Sequence, residues 1–122
     1  MPTRSRGKKR IAALFLKSEV ASGTTIFGNQ ASLADFLEVH RSQVTRAAQG
    51  IQELQEDPAW RLTGVGVVYA ALRHVLDDEV IPSWLEGTNA HLNFRRPIDL
   101  LREGRVAEVM AAVEAERSGS FS

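Results

Sequence analysis

Six residues in one short stretch, Arg41, Ser42, Gln43, Thr45, Arg46 and Gln49, carry side chains that hydrogen-bond base edges or phosphates. None is acidic, and Val44 and Ala47 between them share the opposite face of a helix. The chemistry this arrangement offers is non-covalent reading of DNA from the major groove. A second polar group, Asn89, Arg95, Arg96 and Asp99, surrounds Pro97. There a rigid turn follows two cations, and Asp99 falls in a first helical turn, where a carboxylate complements the helix dipole.

Catalytic and metal chemistry finds no such pattern. His40, His74 and His91 are far apart, without a carboxylate at metal-ligand spacing, and are expected as surface or turn histidines. Gly64-Val65-Gly66 falls within a predicted helix rather than after a strand, so close helix packing explains it better than a phosphate loop. No serine lies in a nucleophile elbow, and there are no cysteines for thiol nucleophiles, disulfides, zinc or iron–sulfur clusters. A small hydrolase therefore lacks its activated nucleophile, and neither enzyme activity nor a cofactor nor a metal is expected.

The elements that must position the first group are legible in residues 30–50, QASLADFLEVHRSQVTRAAQG. A helix-turn-helix needs apolar residues on both helices, a small residue at the crossing and a hydrophobic residue in the turn. Leu33 and Leu37 face inward, Ala34 sits at the crossing, Val39 lies in the turn, and Val44 and Ala47 lie under the second helix. Glu38 stands where such turns usually place glycine. The helices are predicted at about 31–38 and 42–49, with Gly50 as C-cap.

The rest also reads as helix, with 15 alanines, one tyrosine and no sustained period-2 alternation. An N-terminal helix is expected over 8–19, with Ile11, Leu14 and Phe15 at helical spacing, then a loop through Ser22-Gly23-Thr24-Thr25 and Gly28-Asn29. Pro58 opens a helix over about 59–80 with Leu62, Val65, Val68, Leu72 and Val75 along one stripe. The acidic run Asp77-Asp78-Glu79 is unfavourable at a helix C-terminus, which points to an earlier end or a nearby cation. A short helix runs from Pro82 to Gly87, another starts at Pro97 and breaks at Gly104, and a last one over 105–117 buries Val106, Val109, Met110 and Val113.

With 122 residues, 43% hydrophobic and 25% charged, the composition is that of a globular chain able to bury roughly two-thirds of its unfolded surface. Net charge is zero, but residues 1–50 carry eight basic and three acidic groups and residues 51–122 seven basic and twelve acidic. Such segregation points to a polyanion for one half and a different partner for the other, with an unliganded basic tail as the plainer account. Lys8, Lys9 and Arg10 are placed to add phosphate contacts without reading sequence. No apolar run approaches the roughly 20 residues of a membrane helix. The basic start lacks a signal peptide's apolar core, and a reducing cytoplasm is the expected location.

Residues 84–109, WLEGTNAHLNFRRPIDLLREGRVAEV, resemble the toxin-binding domain of the Xre/MbcA/ParS antitoxins, which pair with RES-domain toxins. The family's pattern is matched by Trp84-Leu85, Asn89, Leu92, Arg95-Arg96-Pro97, Asp99-Leu100-Leu101, Gly104 and Val109. An upstream helix-turn-helix, a long helix and a short tail follow the family's order over roughly residues 30–122. The resemblance implies that the C-terminal region obstructs a toxin's NAD-degrading site, with Asn89, Arg95, Arg96, Asp99 and the tail Ser118, Gly119, Ser120, Phe121 and Ser122 facing the toxin. Trp84, Pro97, Leu100 and Leu101 are expected in the core, and Asn89, Arg95, Arg96 and the tail on the surface.

These readings combine into an all-α chain with an N-terminal Xre-like helix-turn-helix followed by a helical toxin-binding domain. The division expected is 1–57, a basic extension with the DNA-binding region, and 58–122, the toxin-binding and dimerisation part with a flexible tail. Its partners would be a RES-domain toxin, operator DNA and, because such folds read two-fold operators, a second copy of the chain. The alternative is a free-standing helix-turn-helix regulator whose C-terminal domain only dimerises.

Overall fold

Among the described residues, 5–119 for the backbone and 14–119 for side chains, the computed structural model is all-helical. The chain divides into two compact units, Met1–Leu62 and Thr63–Ser122.

In the first unit α1 spans Ser5–Phe27 and runs straight through the Ser22–Thr25 stretch expected as a loop. The hydroxyls explain the difference: Thr24 Oγ1 donates to the Val20 carbonyl at 2.8 Å, and Thr25 Oγ1 to that of Ala21 at 3.1 Å. Both polar side chains are thus satisfied on the helix itself. Gly23 is not a breaker here, because a Cβ on it would lie 3.0 Å from methyls of Leu33 and Leu62. Its bare Cα lets α1 approach the elements beneath it. The loop contracts to Gly28, with φ of 89°, and Asn29, whose side chain accepts from Ser32 N at 2.7 Å and caps the next helix.

That helix, α2 (Gln30–Leu37), and α3 (Arg41–Ala48) pack on each other and on α1. Leu33, Ala34, Phe36, Leu37, Val44 and Ala47 are buried, and the Phe36 ring stacks on Phe27 with centroids 4.8 Å apart. The inward residues expected on the two helices, Leu33, Ala34, Leu37, Val44 and Ala47, are all buried, and Phe36, Val20, Ile26 and Leu62 complete the core of this unit.

Between the helices the chain turns at Glu38, in the left-handed region with φ of 59° and ψ of 43°. Glu38 N donates to the Asp35 carbonyl and Val39 N to that of Ala34, at 3.1 and 3.0 Å, which is a Schellman closure normally served by glycine. A side chain there costs about 1–2 kcal/mol. The exposed Glu38 carboxylate lies 3.6 Å from Arg61, which recovers little of it. Replacing Glu38 by Gly is expected to raise stability by about 0.5–1 kcal/mol after allowing for glycine's larger unfolded-state entropy. Chemical denaturation measures it, and an unchanged or lower midpoint would show that the turn is not strained.

α4 (Glu56–Leu72) leads from the first unit into the second. It opens on Glu56 and Asp57, which suit a helix N-terminus, and it stops well short of residue 80. The acidic run lies outside it, and Arg73 Nε donates to Asp78 Oδ1 at 3.2 Å. Both remedies for that run are thus present, the early end and the nearby cation. Val75 and Leu76 fall beyond the helix and are half-buried.

The second unit continues with α5 (Ile81–Glu86), a 3-10 turn (Ala90–Leu92), α6 (Pro97–Arg102) and α7 (Val106–Arg117). α6 packs between α5 and α7, and α7 also meets the 3-10 turn. Val65, Val68, Leu72, Ile81, Leu85, Leu92, Leu100, Leu101, Val109 and Val113 form its core. Pro97 is buried as expected, whereas Trp84, Val106 and Met110 are only half-buried. Of the glycine pair on α4, only Gly64 serves close packing: a Cβ there would lie 2.8 Å from a Val106 methyl, while Gly66 faces open space.

Candidate functional site

The surface of α3 is built by its N-cap. Ser42 N donates to His40 Nδ1 at 3.2 Å, and His40 N donates to Gln43 Oε1 at 3.0 Å, a reciprocal arrangement that satisfies two end amides. Ser42 Oγ lies 2.9 Å from the same imidazole nitrogen. Thr45 Oγ1 bonds Gln30 Oε1 at 2.9 Å, and Arg46 Nε donates to Gln52 Oε1.

Of the six residues assigned to DNA, Arg41 and Gln49 are exposed, and Ser42, Gln43, Thr45 and Arg46 are half-buried with local partners. Five of them lie on α3 and Gln49 is its C-cap. Four of them also stabilise the unit that displays them. His40 is thus a capping residue, and His74 and His91 are exposed. Among the described residues no three acidic or imidazole groups gather as a metal site. The side chains of Lys8, Lys9 and Arg10 lie outside the described residues, as do Ser120, Phe121 and Ser122.

The second surface is the loop from Asn89 to Asp99. Asn89, expected on the surface, is instead buried at 9% exposure. Its Oδ1 accepts from His91 N at 2.9 Å, its carbonyl accepts from Leu92 N and Phe94 N, and its own N–H donates to the Arg95 carbonyl. One side chain and one peptide therefore tie the whole loop, which accounts for an Asn there independently of any partner.

Arg95 and Arg96 are exposed as expected, and both are paired within the chain. Arg95 bonds Glu103, and Arg96 grips Asp99 through two hydrogen bonds of 2.8 and 2.9 Å. Those bonds hold the Asp99 carboxyl below the usual carboxylate range, against the opposing effect of burial. Glu103 is held low in the same way by Arg95. Elsewhere in the unit Trp84 Nε1 donates to Glu116 at 3.0 Å, and Ser118 caps α7, with Gly119 beyond it at a φ of 67°.

Because its folded pKa is depressed, Asp99 contributes stability that is present above its ordinary pKa and is lost as pH falls through the lower folded value. Asp99→Asn is expected to lower the melting temperature by roughly 1–4 °C near neutral pH. That difference should shrink from about pH 4 downward. A difference independent of pH would mean that packing of the side chain, not its charge, is what matters.

Sequence reasoning passed over Phe94. The residue is 71% exposed, and its φ of 63° follows a φ of 55° at Asn93. The signal was available in Asn93, a residue that tolerates the left-handed region, standing between Leu92 and Arg95 in a two-residue turn.

No protein-family model matches the chain. The mycobacterial cidal antitoxins MbcA of Mycobacterium bovis and of two strains of Mycobacterium tuberculosis are each 29% identical to it over 89 residues, 73% of this chain and 79% of theirs. A crystal structure of the M. tuberculosis MbcT–MbcA toxin–antitoxin complex contains a chain that superposes with a TM-score of 0.73 at 28% identity, covering 88% of this chain and 97% of that one. In both sequence and all-helical fold, across both units, the chain is similar to the MbcA antitoxins.

Proposed function

We propose that this chain is the antitoxin of a toxin–antitoxin pair. The observation that carries the reading is its likeness to a chain crystallised in the MbcT–MbcA complex, at 28% identity over 97% of that chain. A likeness of such coverage includes the region that resembles a toxin-binding domain.

The finer assignments form one mechanism. The partner is a RES-type toxin that degrades NAD, and the C-terminal region, with Asn89, Arg95, Arg96, Asp99 and residues 118–122, occludes its active site. The α3 face binds the promoter of the chain's own operon as a homodimer, placing DNA on the N-terminal part (1–57) and toxin on 58–122. The role is stoichiometric obstruction in the cytoplasm, not catalysis. Among the described residues no helix is long and apolar enough to cross a membrane. Support for the DNA arm is an α3 surface that carries Arg, Gln, Ser and Thr without a carboxylate.

Co-expression with the product of the adjacent reading frame, followed by size-exclusion chromatography and assays of growth and NAD, tests the reading. A co-eluting pair, with growth and NAD restored by this chain, is expected. Separate elution without protection would remove the antitoxin role and favour the free-standing regulator.

A further inference from the structure

Asn93 and Phe94 form the middle of a β-turn in which both central residues have positive φ, 55° and 63°. The turn is closed by Arg95 N donating to the Leu92 carbonyl at 3.1 Å, and Phe94 N donates to the Asn89 carbonyl at 2.8 Å. Asn accepts this geometry readily, but a bulky aromatic does not, and glycine is the residue that relieves it. A Phe held left-handed loses stability, and an intrachain packing role does not repay it, because the residue stands 71% exposed. A single exposed aromatic would need no explanation. One that is both exposed and strained does, and strain of this kind gathers at binding sites.

The surroundings define what the ring meets. Arg95 and Arg96 beside it are paired with Glu103 and Asp99. The rim of the turn is therefore charge-balanced, and its hydrogen bonds fix the ring's backbone before any partner arrives. Such an element suits an uncharged apolar pocket, with little ordering entropy left to lose on docking.

We propose that Phe94 is a preformed anchor that inserts into an apolar pocket of the toxin partner. This rests on the antitoxin reading above and adds a contact that does not involve the tail. The occupant is the toxin rather than a second copy, because the fold this chain shares is one that sits against a toxin in the MbcT–MbcA complex.

Stability and binding must then move in opposite directions. With the co-expressed product of the adjacent reading frame as probe, Phe94→Gly is expected to weaken the complex about thirtyfold. The same variant alone should melt roughly 2–4 °C higher, because the turn is relaxed. The loss of affinity should be the same at low and high salt, since no free charge is removed. Phe94→Asn should behave like Phe94→Gly, and Phe94→Leu should keep most of the affinity.

A wild-type complex that Phe94→Gly leaves equally tight overturns the anchor and leaves the antitoxin reading standing. Failure of the wild-type chain to bind at all overturns both. If Phe94→Gly instead splits a homodimer of the isolated chain while the toxin complex keeps its affinity, the ring serves self-association and the proposal is wrong.

Discussion

Arg41→Ala is expected to weaken binding to the cognate promoter by about 1–3 kcal/mol, roughly 5- to 150-fold, while leaving the fold slightly more stable. The two signs come from one position. Arg41 is the first residue of α3, where the helix dipole disfavours a cation, and its side chain is exposed. Removing it relieves that repulsion by a few tenths of a kcal/mol and, if α3 reads the major groove as proposed, takes away a bidentate donor. Gln43→Ala is a poorer probe, because Gln43 Oε1 accepts from His40 N and its loss would fray the helix start. Gln43→Glu retains that acceptor, abolishes the amide donor and sets a negative charge against DNA. It is therefore expected to lose binding at least as severely as Arg41→Ala with little change in melting. Gel shifts over a series of salt concentrations separate base reading from phosphate contact, since only a phosphate contact flattens the salt dependence. Wild-type binding by both variants would remove α3 from the DNA interface.

The parts of the fold legible in the sequence were those where one side-chain period decides everything. Leu33, Leu37, Val44 and Ala47 recur at helical spacing and are all buried, and the interrupted glycine position at Glu38 is the left-handed residue. The parts that were not legible are those where composition and local satisfaction compete. Gly23 and two threonines look like a loop by composition, yet the threonine hydroxyls return to their own helix and the glycine lets Leu33 and Leu62 come close. Asn89 looks like a surface donor by type, and only the folded loop shows that its amide oxygen and peptide are used internally. Arg95 and Arg96 lie on the surface as the sequence suggests, but the carboxylate partner of Arg95 is eight residues away, where no period announces it, whereas that of Arg96 stands at the helical i,i+3 spacing. Phe94 does not stand out in the apolar pattern, because its conformation is set at a single turn residue and such a conformation leaves little trace there.

Those internal pairings change which variant tests toxin neutralisation. Arg96→Glu would put a second carboxylate beside Asp99 at the start of α6 and disturb the unit itself, so reduced protection would not isolate a contact. Removing residues after Arg117 has a smaller version of the same fault. Ser118 N donates to the Glu114 carbonyl and Gly119 N to that of Glu116, so both residues close α7. Removing only Ser120, Phe121 and Ser122 retains the whole cap and every core residue named above. If the tail is the obstructing element, that deletion is expected to leave melting within about 1 °C of wild type and promoter binding unchanged. Protection should nevertheless fall to near that of cells lacking the antitoxin, with NAD depleted. The complex should persist in weakened form, because the proposed contacts of Phe94 and the paired arginines would remain. Occlusion and docking are thus separable, with the deletion losing inhibition more than affinity and Phe94→Gly losing affinity first. Full protection of growth and NAD by the chain lacking residues 120–122 would show that the toxin is blocked by the folded unit and not by its tail.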